Sequence, residues 1–351
     1  MKSVILNDTH CGVRNSSEIF IDYQERFYSE IFFPYCIKNG IKNIIHLGDY
    51  YDHRKHVNFK ALNANRRMFL EPMVKLGMTM DIIPGNHDVV HKNTNELCAL
   101  KELLGYYTSN VNIIMKPKTV GKLNFLPWIN PENYDESMKF VKNAKGIILA
   151  HLELEGFEMM KGVMHPGGHG MSADIFKHLD LVLSGHYHTT SQVGNVRYLG
   201  SQMEFTWGDC DDSKYFHVLD TETGDIERVL NPITIFEKIY YNDEKRPWVT
   251  GEDLSQYVDK FVKVIVETKS NPFMFDKLID GLSSINTHEL KVVENFSEFL
   301  GSNVVTSIED VENTTDLMSN YIDAVSTDLD KNELKSLMNS LYNEALDMEI
   351  Q

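Results

Sequence analysis

The stretch Pro84-Gly85-Asn86-His87-Asp88 follows directly on the apolar, β-branched run Thr79 to Ile83. A short apolar run of this kind predicts a buried strand, so the five residues stand where that strand ends. Three successive positions there offer an amide oxygen, an imidazole and a carboxylate, which are ligands that suit hard and borderline divalent cations. A polar turn could use the same residues without a metal. The rest of the chain decides between these two interpretations.

Four more polar clusters follow predicted strands in the same way. They are Asp8-Thr9-His10 after Val4-Ile5-Leu6, Gly48-Asp49-Tyr50-Tyr51-Asp52 after Asn43 to Leu47, His151 after Gly146 to Ala150, and Gly185-His186-Tyr187-His188 after Leu181 to Leu183. Alternate side chains at a strand end can point the same way, so Asp8 and His10 can share one ion. The two oxygens of Asp49 can bridge two ions. Asp52 is expected to support the site and not to bind metal.

Each cluster taken alone has a simpler explanation. A lone Asp-x-His is usually a surface loop, and a histidine that ends an apolar strand, as His151 does, is usually a satisfied core residue. The combination of five clusters favours a dinuclear metal site that takes ions of the Mn²⁺ type. His165, His169 and His178 lack the strand-end context, and we expect them to be loop or surface residues.

The spacing of the strands predicts a layered α/β domain. Helix-length segments, Glu18 to Lys38 and Asn58 to Leu76, separate several strands, which is the βαβ pattern. Ligands bind beyond the carboxyl ends of strands in such sheets, so the polar clusters are expected at one edge. A small mixed unit is predicted from about residue 231 to 300, with Phe261 to Glu267 as its clearest strand. Residues 329 to 349 have the apolar spacing of an amphipathic helix.

Composition limits the possible functions. The chain has 351 residues, 42% of them hydrophobic, and four widely spaced cysteines, which predicts a globular protein of a reducing cytoplasm with no membrane span and no signal peptide. The net charge of −17 argues against a tight grip on nucleic acid by the whole surface. Residues 301–351 contribute −9 of it, from eleven acidic residues and two lysines.

One basic and aromatic stretch could oppose this charge locally. It comprises His53-Arg54-Lys55-His56 with Phe59, Lys60, Arg66 and Arg67. These residues either bind along the phosphate backbone of a nucleic acid or form the solvent-exposed face of a helix.

The five clusters, in this order, resemble the calcineurin-like metallophosphoesterases. Within that superfamily the short connections resemble the SbcD-type nucleases of recombination and double-strand-break repair, particularly their phage-encoded forms. Supporting features are Asp8-Thr9-His10-Cys11-Gly12, Asp52 followed by His53-Arg54-Lys55, and Tyr198-Leu199-Gly200-Ser201. The resemblance covers residues 1 to about 220 well and is only architectural beyond them.

The resemblance implies a four-layer α/β/β/α sandwich in residues 1–230, a small α+β capping and DNA-binding domain in 231–300, and a helical partner-binding tail in 301–351. It implies that Asp8, His10, Asp49 and His188 hold one metal ion, and that Asp49, Asn86, His151 and His186 hold the other. His87 would face the scissile phosphate, with Asp88 orienting it. The expected cofactors are two Mn²⁺ ions, with Mg²⁺ as a weaker substitute, and hydrolysis would follow a two-metal mechanism.

The family further implies a DNA exonuclease and endonuclease that works as a homodimer with an SMC-like coiled-coil ATPase, in the host bacterial cytoplasm if the protein is phage-encoded. The chain contains no GxxxxGK[ST] loop, so any ATP use would belong to the partner. Two alternatives stay open. One is a stand-alone phosphatase or cyclic-nucleotide phosphodiesterase with the same ligands, and the other is a catalytically silent scaffold. The tail helix could also pack on its own domain.

Overall fold

The computed structural model describes residues 2–165, 171–246 and 251–294, together with isolated positions between 322 and 338. Contacts divide the chain into two compact units. The first unit comprises Met1–Glu237 with Asp259–Phe261, and the second begins at Lys238. The helix predicted at 329–349 lies almost entirely outside the described residues.

Two six-stranded sheets form the first unit. In chain order the first-unit strands are β1 Lys2–Leu6, β2 Asn43–His46, β3 Thr79–Ile82, β4 Val111–Ile113, β5 Lys118–Val120, β6 Leu123–Leu126, β7 Ile147–His151, β8 Glu158–Met160, β9 Val163–Met164, β10 Leu181–Gly185, β11 Ser191–Val193, β12 Val196–Tyr198, β13 Lys214–Asp220 and β14 Ile226–Asn231. One sheet has the order β14-β13-β1-β2-β3-β4 and the other β11-β12-β10-β7-β6-β5. Strands β8 and β9 pair separately as a hairpin.

The strands that precede the polar clusters are parallel. Strand β1 pairs with β2, and β2 with β3, all in parallel. In the other sheet β6, β7, β10 and β12 run parallel to one another. Antiparallel strands, including β13 and β5, flank these parallel centres. The polar residues that follow β1, β2 and β3 therefore emerge at the same edge of one sheet, and those that follow β7 and β10 at one edge of the other.

Helices cover the outer faces of the sheets. They are α1 Val13–Ser16, α2 Glu18–Arg26, α3 Phe33–Asn39, α4 Phe59–Asn65, α5 Glu71–Lys75, α6 Ala99–Leu104 and α7 Tyr134–Asn143. A π-helical segment, Phe27–Phe32, joins α2 to α3, and another, Arg66–Leu70, joins α4 to α5. These two continuous helical runs match the segments predicted between the first strands. Short 3₁₀ helices occupy Gly105–Tyr107, Ala173–Phe176 and Trp207–Asp209.

Three buried clusters show the order of the layers. Side chains of both sheets meet between them, including Ile45 and Ile83 from one sheet and Leu149 and Leu183 from the other. A large cluster packs α2 to α6 on the first sheet, and a smaller one packs α7 on the second. The predicted α/β/β/α sandwich is confirmed. None of the helices in the described residues is long and apolar enough to cross a bilayer.

The second unit contains a three-stranded sheet and one longer helix. Its elements are β15 Phe236–Asn242, a 3₁₀ helix Ser255–Tyr257, β16 Phe261–Thr268, α8 Pro272–Ser284 and β17 Glu289–Glu294. Strand β16 lies between β15 and β17. Val262, Val264 and Val266 of β16 bury one face against Phe275, Leu278 and Leu282 of α8. Burial alternates along the first half of β16, as in a strand with one covered face, and Ile265 is buried as well.

Candidate metal centre

Side chains that end or follow four parallel strands come together in two groups that share no residue. Asp8, His10 and His188 form the first, which we call the His10 group, and Asp49, His151 and His186 form the second, the His151 group. Within each group one ligand atom from every residue lies within 4.8 Å of the others. The groups are adjacent, since Nε2 of His10 is 4.0 Å from Oδ2 of Asp49.

Asn86 joins the His151 group. Its Oδ1 atom lies 3.0 Å from Nε2 of His151 and 2.9 Å from Nδ1 of His186. All seven residues that the sequence proposed as metal ligands are thus assembled in one place, from segments up to 180 residues apart in the chain. The parallel strand ends account for this, because each delivers its following loop to the shared edge.

The backbone is strained at the ligands themselves. Asp8, His10, Asp49 and His186 have positive φ angles of 49°, 43°, 53° and 94°. Residues with a Cβ atom rarely adopt such conformations, which persist where the surrounding structure imposes them and which concentrate at functional sites. No property of the sequence alone marked these positions as strained.

Two glycines allow the loops to approach each other. Gly48 has φ of 93°, and a Cβ atom there would lie 2.6 Å from the backbone nitrogen of Gly85 and 2.7 Å from Nδ1 of His151. A Cβ atom at Gly85 would collide with the carboxylate and the backbone of Asp49 and lie 2.7 Å from the ring of His151. The loops after β2 and β3 therefore touch through backbone, and this contact sets the position of Asp49.

The donor atoms of both groups fit bound cations. Nδ1 of His151 lies 2.7 Å from the carbonyl oxygen of Leu47 and so donates its proton there. A neutral ring then presents a lone pair at Nε2, which faces Oδ1 of Asn86 and, at 3.3 Å, Oδ2 of Asp49. In the His10 group, Nε2 of His10 faces Nε2 of His188 at 3.1 Å. Lone pairs that converge in this way suit a divalent metal ion.

Electrostatics lead to the same conclusion. Burial lowers the pKa of His10, but the carboxylates of Asp52, Asp49 and Asp8 outweigh burial and raise this pKa to about 9. For His151, burial is likewise outweighed, chiefly by Asp49, and the pKa rises to about 9. Burial depresses the pKa of His186 and of His188. The buried carboxylates therefore draw positive charge into each group, a role that divalent cations would take over.

His87 and Asp52 form a third contact next to the His10 group. Nδ1 of His87 donates to the carbonyl oxygen of Asp52 at 2.6 Å, and Oδ1 of Asp52 lies 3.2 Å from Nδ1 of His10. The backbone N–H of His87 donates to Oδ1 of Asp49 at 2.8 Å. Both Asp52 and Asp49 thus hold His87 beside the two groups.

Asp88 occupies a different position from the one the family resemblance implied. Its fully buried carboxylate accepts hydrogen bonds from the backbone N–H groups of Gly85 at 2.9 Å, Tyr50 at 3.0 Å and Tyr51 at 3.0 Å. It therefore joins the loop after β2 to the loop after β3. The carbonyl group of Asp52, not this carboxylate, orients the ring of His87.

Three residues of the centre were not found from the sequence. The ring of Trp128 lies 5.5 Å from that of His186, and the ring of Phe205 lies 5.5 Å from that of His10. The buried ammonium group of Lys214 donates to the carbonyl oxygen of His188 at 2.9 Å and pairs with Asp209 at 2.7 Å. Trp128 follows strand β6 by two positions, so its place after a parallel strand could have identified it.

Comparison with known proteins places this centre in a family. The family model described as calcineurin-like phosphoesterase matches residues 1–190. The chain belongs to the calcineurin-like phosphoesterases, as the motifs predicted, and is a metal-dependent phosphoesterase. Its curated relatives include a protein named exonuclease subunit 1 of Enterobacteria phage T4. The two are 33% identical over 98% of this chain and 99% of that protein.

Comparison with solved structures also gave matches of low identity and low TM-score. One is described as a novel archaeal phosphodiesterase, with 16% identity, a TM-score of 0.33, and coverage of 66% of this chain and 100% of that one. Another is a nuclease of Pseudomonas putida, with 13% identity, a TM-score of 0.26, and coverage of 65% and 87%. The assignment to the family rests on the sequence matches and on the two sheets, not on these structures.

Proposed function

We propose that this chain is the nuclease subunit of a DNA recombination and repair complex and that it hydrolyses DNA phosphodiester bonds as an exonuclease and endonuclease. The observation that carries the proposal is the pair of adjacent ligand groups with His87 beside them. The name of the phage T4 relative, an exonuclease subunit aligned over nearly its full length, supports DNA as the substrate and a complex as the working form.

The proposed ligand sets follow the two groups. Asp8, His10 and His188 would hold one Mn²⁺ ion and Asn86, His151 and His186 the other, with Asp49 shared. Mg²⁺ would be a weaker substitute, because the sites mix imidazole with oxygen ligands. When bound, two such ions supply Lewis acidity that activates a water molecule and stabilises negative charge on the phosphate.

His87 is the proposed proton-transfer residue. Its Nδ1–H bond to the carbonyl oxygen of Asp52 fixes the plane of the ring and leaves Nε2 as the atom that can exchange a proton. The bond from its backbone N–H to Asp49 keeps the ring beside the shared carboxylate. In the ring's doubly protonated form, Nε2 would deliver its proton to the departing oxygen of the cleaved DNA strand and leave the ring neutral with its Nδ1–H bond intact. Asp88 would act indirectly, by holding together the two loops that carry Asp49 and His87.

The proposed partner is an SMC-like coiled-coil ATPase, with the nuclease present as a homodimer in the complex. Residues 231–300 would form the capping and DNA-binding domain, and residues 301–351 the partner-binding tail. The host bacterial cytoplasm is the proposed location.

The test uses the purified full-length chain with Mn²⁺ and, in parallel, with EDTA. Labelled linear duplex DNA, single-stranded DNA circles, a small aryl phosphodiester and a small aryl phosphomonoester are offered as substrates. We expect Mn²⁺-dependent cutting of both DNA forms and none in EDTA. Hydrolysis of the small monoester alone would refute the nuclease proposal and favour a phosphatase.

A further inference from the structure

The loop between Asp52 and α4 connects the centre to an exposed aromatic side chain. Asp52 contacts both His10 and His87. His53 follows, with Nε2 3.5 Å from Oδ2 of Asp52, and its ring stacks on that of His56 with centroids 4.6 Å apart. Three residues later, Phe59 begins α4 with 86% of its surface exposed.

Helix α4 is fixed against the loop that carries His10. The thiol of Cys11, the residue after His10, lies 3.7 Å from the carbonyl oxygen of Ala61 and donates to it. Ala61 is fully buried, and a Cβ atom added to Gly12 would lie in ordinary contact with its side chain at 3.5 Å. Phe59 is two residues from this anchor and Cys11 is one residue from His10, so the start of α4 is tied to the loop that carries a proposed ligand.

The basic residues of this region fall into two classes. Lys60 pairs with Glu18 of α2, and Arg67 forms a two-pronged pair with Glu25 of the same helix. Arg54 and Lys55 make no ion pair with any residue that the structure describes. Lys60 and Arg67 are therefore locally neutralised, whereas Arg54 and Lys55, five and four residues before Phe59 in the chain, keep an unpaired charge.

An exposed ring and two unpaired cations carried by one short segment suit single-stranded nucleic acid. Bases stack on aromatic side chains regardless of sequence, and cations neutralise the phosphates between them. The overall charge of −17 makes such a local cationic position necessary, because the surface as a whole repels a polyanion.

We infer that Phe59, with Arg54 and Lys55, forms a binding site for an unpaired DNA base and its phosphates at the border of the metal centre. The inference rests on the proposed nuclease function and specifies how the substrate strand is held. Phe59 would select strands whose bases are free to stack, so the single strand would bind more tightly than intact duplex.

The test measures binding without cleavage. A single-stranded thymidine oligonucleotide with one 2-aminopurine is titrated in EDTA with wild type, Phe59→Ala, Phe59→Trp and Tyr106→Ala. Tyr106 is the matched control, because it is also 86% exposed but lies on the 3₁₀ helix Gly105–Tyr107. We expect Phe59→Ala to weaken binding on the order of 10-fold and to abolish the quenching that stacking causes. Phe59→Trp should restore both, and Tyr106→Ala should match wild type.

A second pair of variants tests the cations. Arg54→Gln with Lys55→Gln should lower the salt dependence of binding by roughly one to two in log–log slope, whereas Lys60→Gln with Arg67→Gln should leave it unchanged. If Phe59→Ala and wild type bind the oligonucleotide equally and quench its fluorescence equally, this inference fails and the proposed function is unaffected. If the wild type neither binds the oligonucleotide nor cuts DNA with Mn²⁺, both the inference and the proposed function fail.

Discussion

The two ligand groups use the same residue types, but different parts of the chain hold them in place. In the His151 group the main chain fixes the geometry. The carbonyl oxygen of Leu47 orients His151, and the touching backbones at Gly48 and Gly85 position Asp49. In the His10 group main-chain hydrogen bonds hold Asp8 and His10 as well, but the ring of His10 lies against a side chain, with Oδ1 of Asp52 3.2 Å from its Nδ1. A single side-chain substitution at Asp52 can therefore change the surroundings of His10, whereas the carbonyl oxygen that orients His151 belongs to the main chain.

Asp49 is the proposed shared ligand of both groups, so its substitution should have the largest effect. Asp49→Asn removes the shared negative charge and should reduce kcat by more than about 1000-fold, since metal-ion stabilisation contributes several kcal/mol to the transition state. The steady-state rate of hydrolysis of a small phosphodiester gives kcat for the variant and for wild type. Asp81→Asn is the control, because Asp81 lies on β3 and bonds to Asn112 away from the centre. Similar rates for the two variants would contradict the assigned role.

Gly85→Ala tests the main-chain support of the His151 group. The added methyl group would collide with Asp49, so we expect activity to fall on the order of 100-fold and unfolding to become easier by about 1–3 kcal/mol. Gly105→Ala is the matched control, since a Cβ atom there meets nothing within 4 Å. Activity assays and urea denaturation of both variants measure the effect. Unchanged activity in Gly85→Ala would show that the loops after β2 and β3 can move apart without loss of activity.

Asp52→Asn tests the side-chain support of the His10 group. The variant keeps the carbonyl group that holds His87 but loses the charge beside His10. We expect a roughly 10- to 100-fold loss of affinity for one of two Mn²⁺ ions, as for other residues that support metal ligands. Isothermal titration with Mn²⁺ measures both affinities. An equal loss of affinity for both Mn²⁺ ions would mean that Asp52 does not support the His10 group separately from the His151 group.

Much of the centre could be predicted from the sequence because each ligand follows a parallel strand. Asn86, His151 and His188 could be identified by that rule, and the sheets then bring them together. Contacts between loops obey no such rule. The family resemblance implied that Asp88 orients His87, yet its carboxylate faces three backbone N–H groups. The support by Lys214 depends on a buried charge network that no local pattern reveals.

The fold was predictable to a similar extent. Long apolar runs such as those of β2 and β7 were found within one residue of their bounds. Strands β4, β5 and β14 escaped prediction, because each lies at a sheet edge and alternates or exposes its side chains. Edge strands bury too little surface to leave a strong apolar signal.

Glu204 lies outside both ligand groups. Its substitution should have the smallest effect, which concerns the pH dependence of stability. Its buried carboxylate accepts from the backbone N–H groups of Ile235 and Phe236, and burial raises its pKa from 4.5 to about 7. The folded chain keeps a proton that the unfolded chain releases, so stability should fall as the pH rises from about 4.5 to about 7. Wild type should lose about 2 kcal/mol relative to Glu204→Gln over this range. Urea denaturation of both proteins at pH 5 and 7.5 measures the difference in unfolding free energy. If that difference is the same at both pH values, the prediction is wrong.

The most direct test of the proposed centre is to count bound Mn²⁺ and to measure DNA cutting in wild type and His87→Ser. His87 contacts Asp49 and Asp52 but belongs to neither ligand set, so its loss should spare both ions. We predict two Mn²⁺ ions per chain in both proteins, with cutting reduced at least about 100-fold in the variant. Fewer than two ions in wild type, loss of an ion in His87→Ser, or unchanged cutting by the variant would contradict this account.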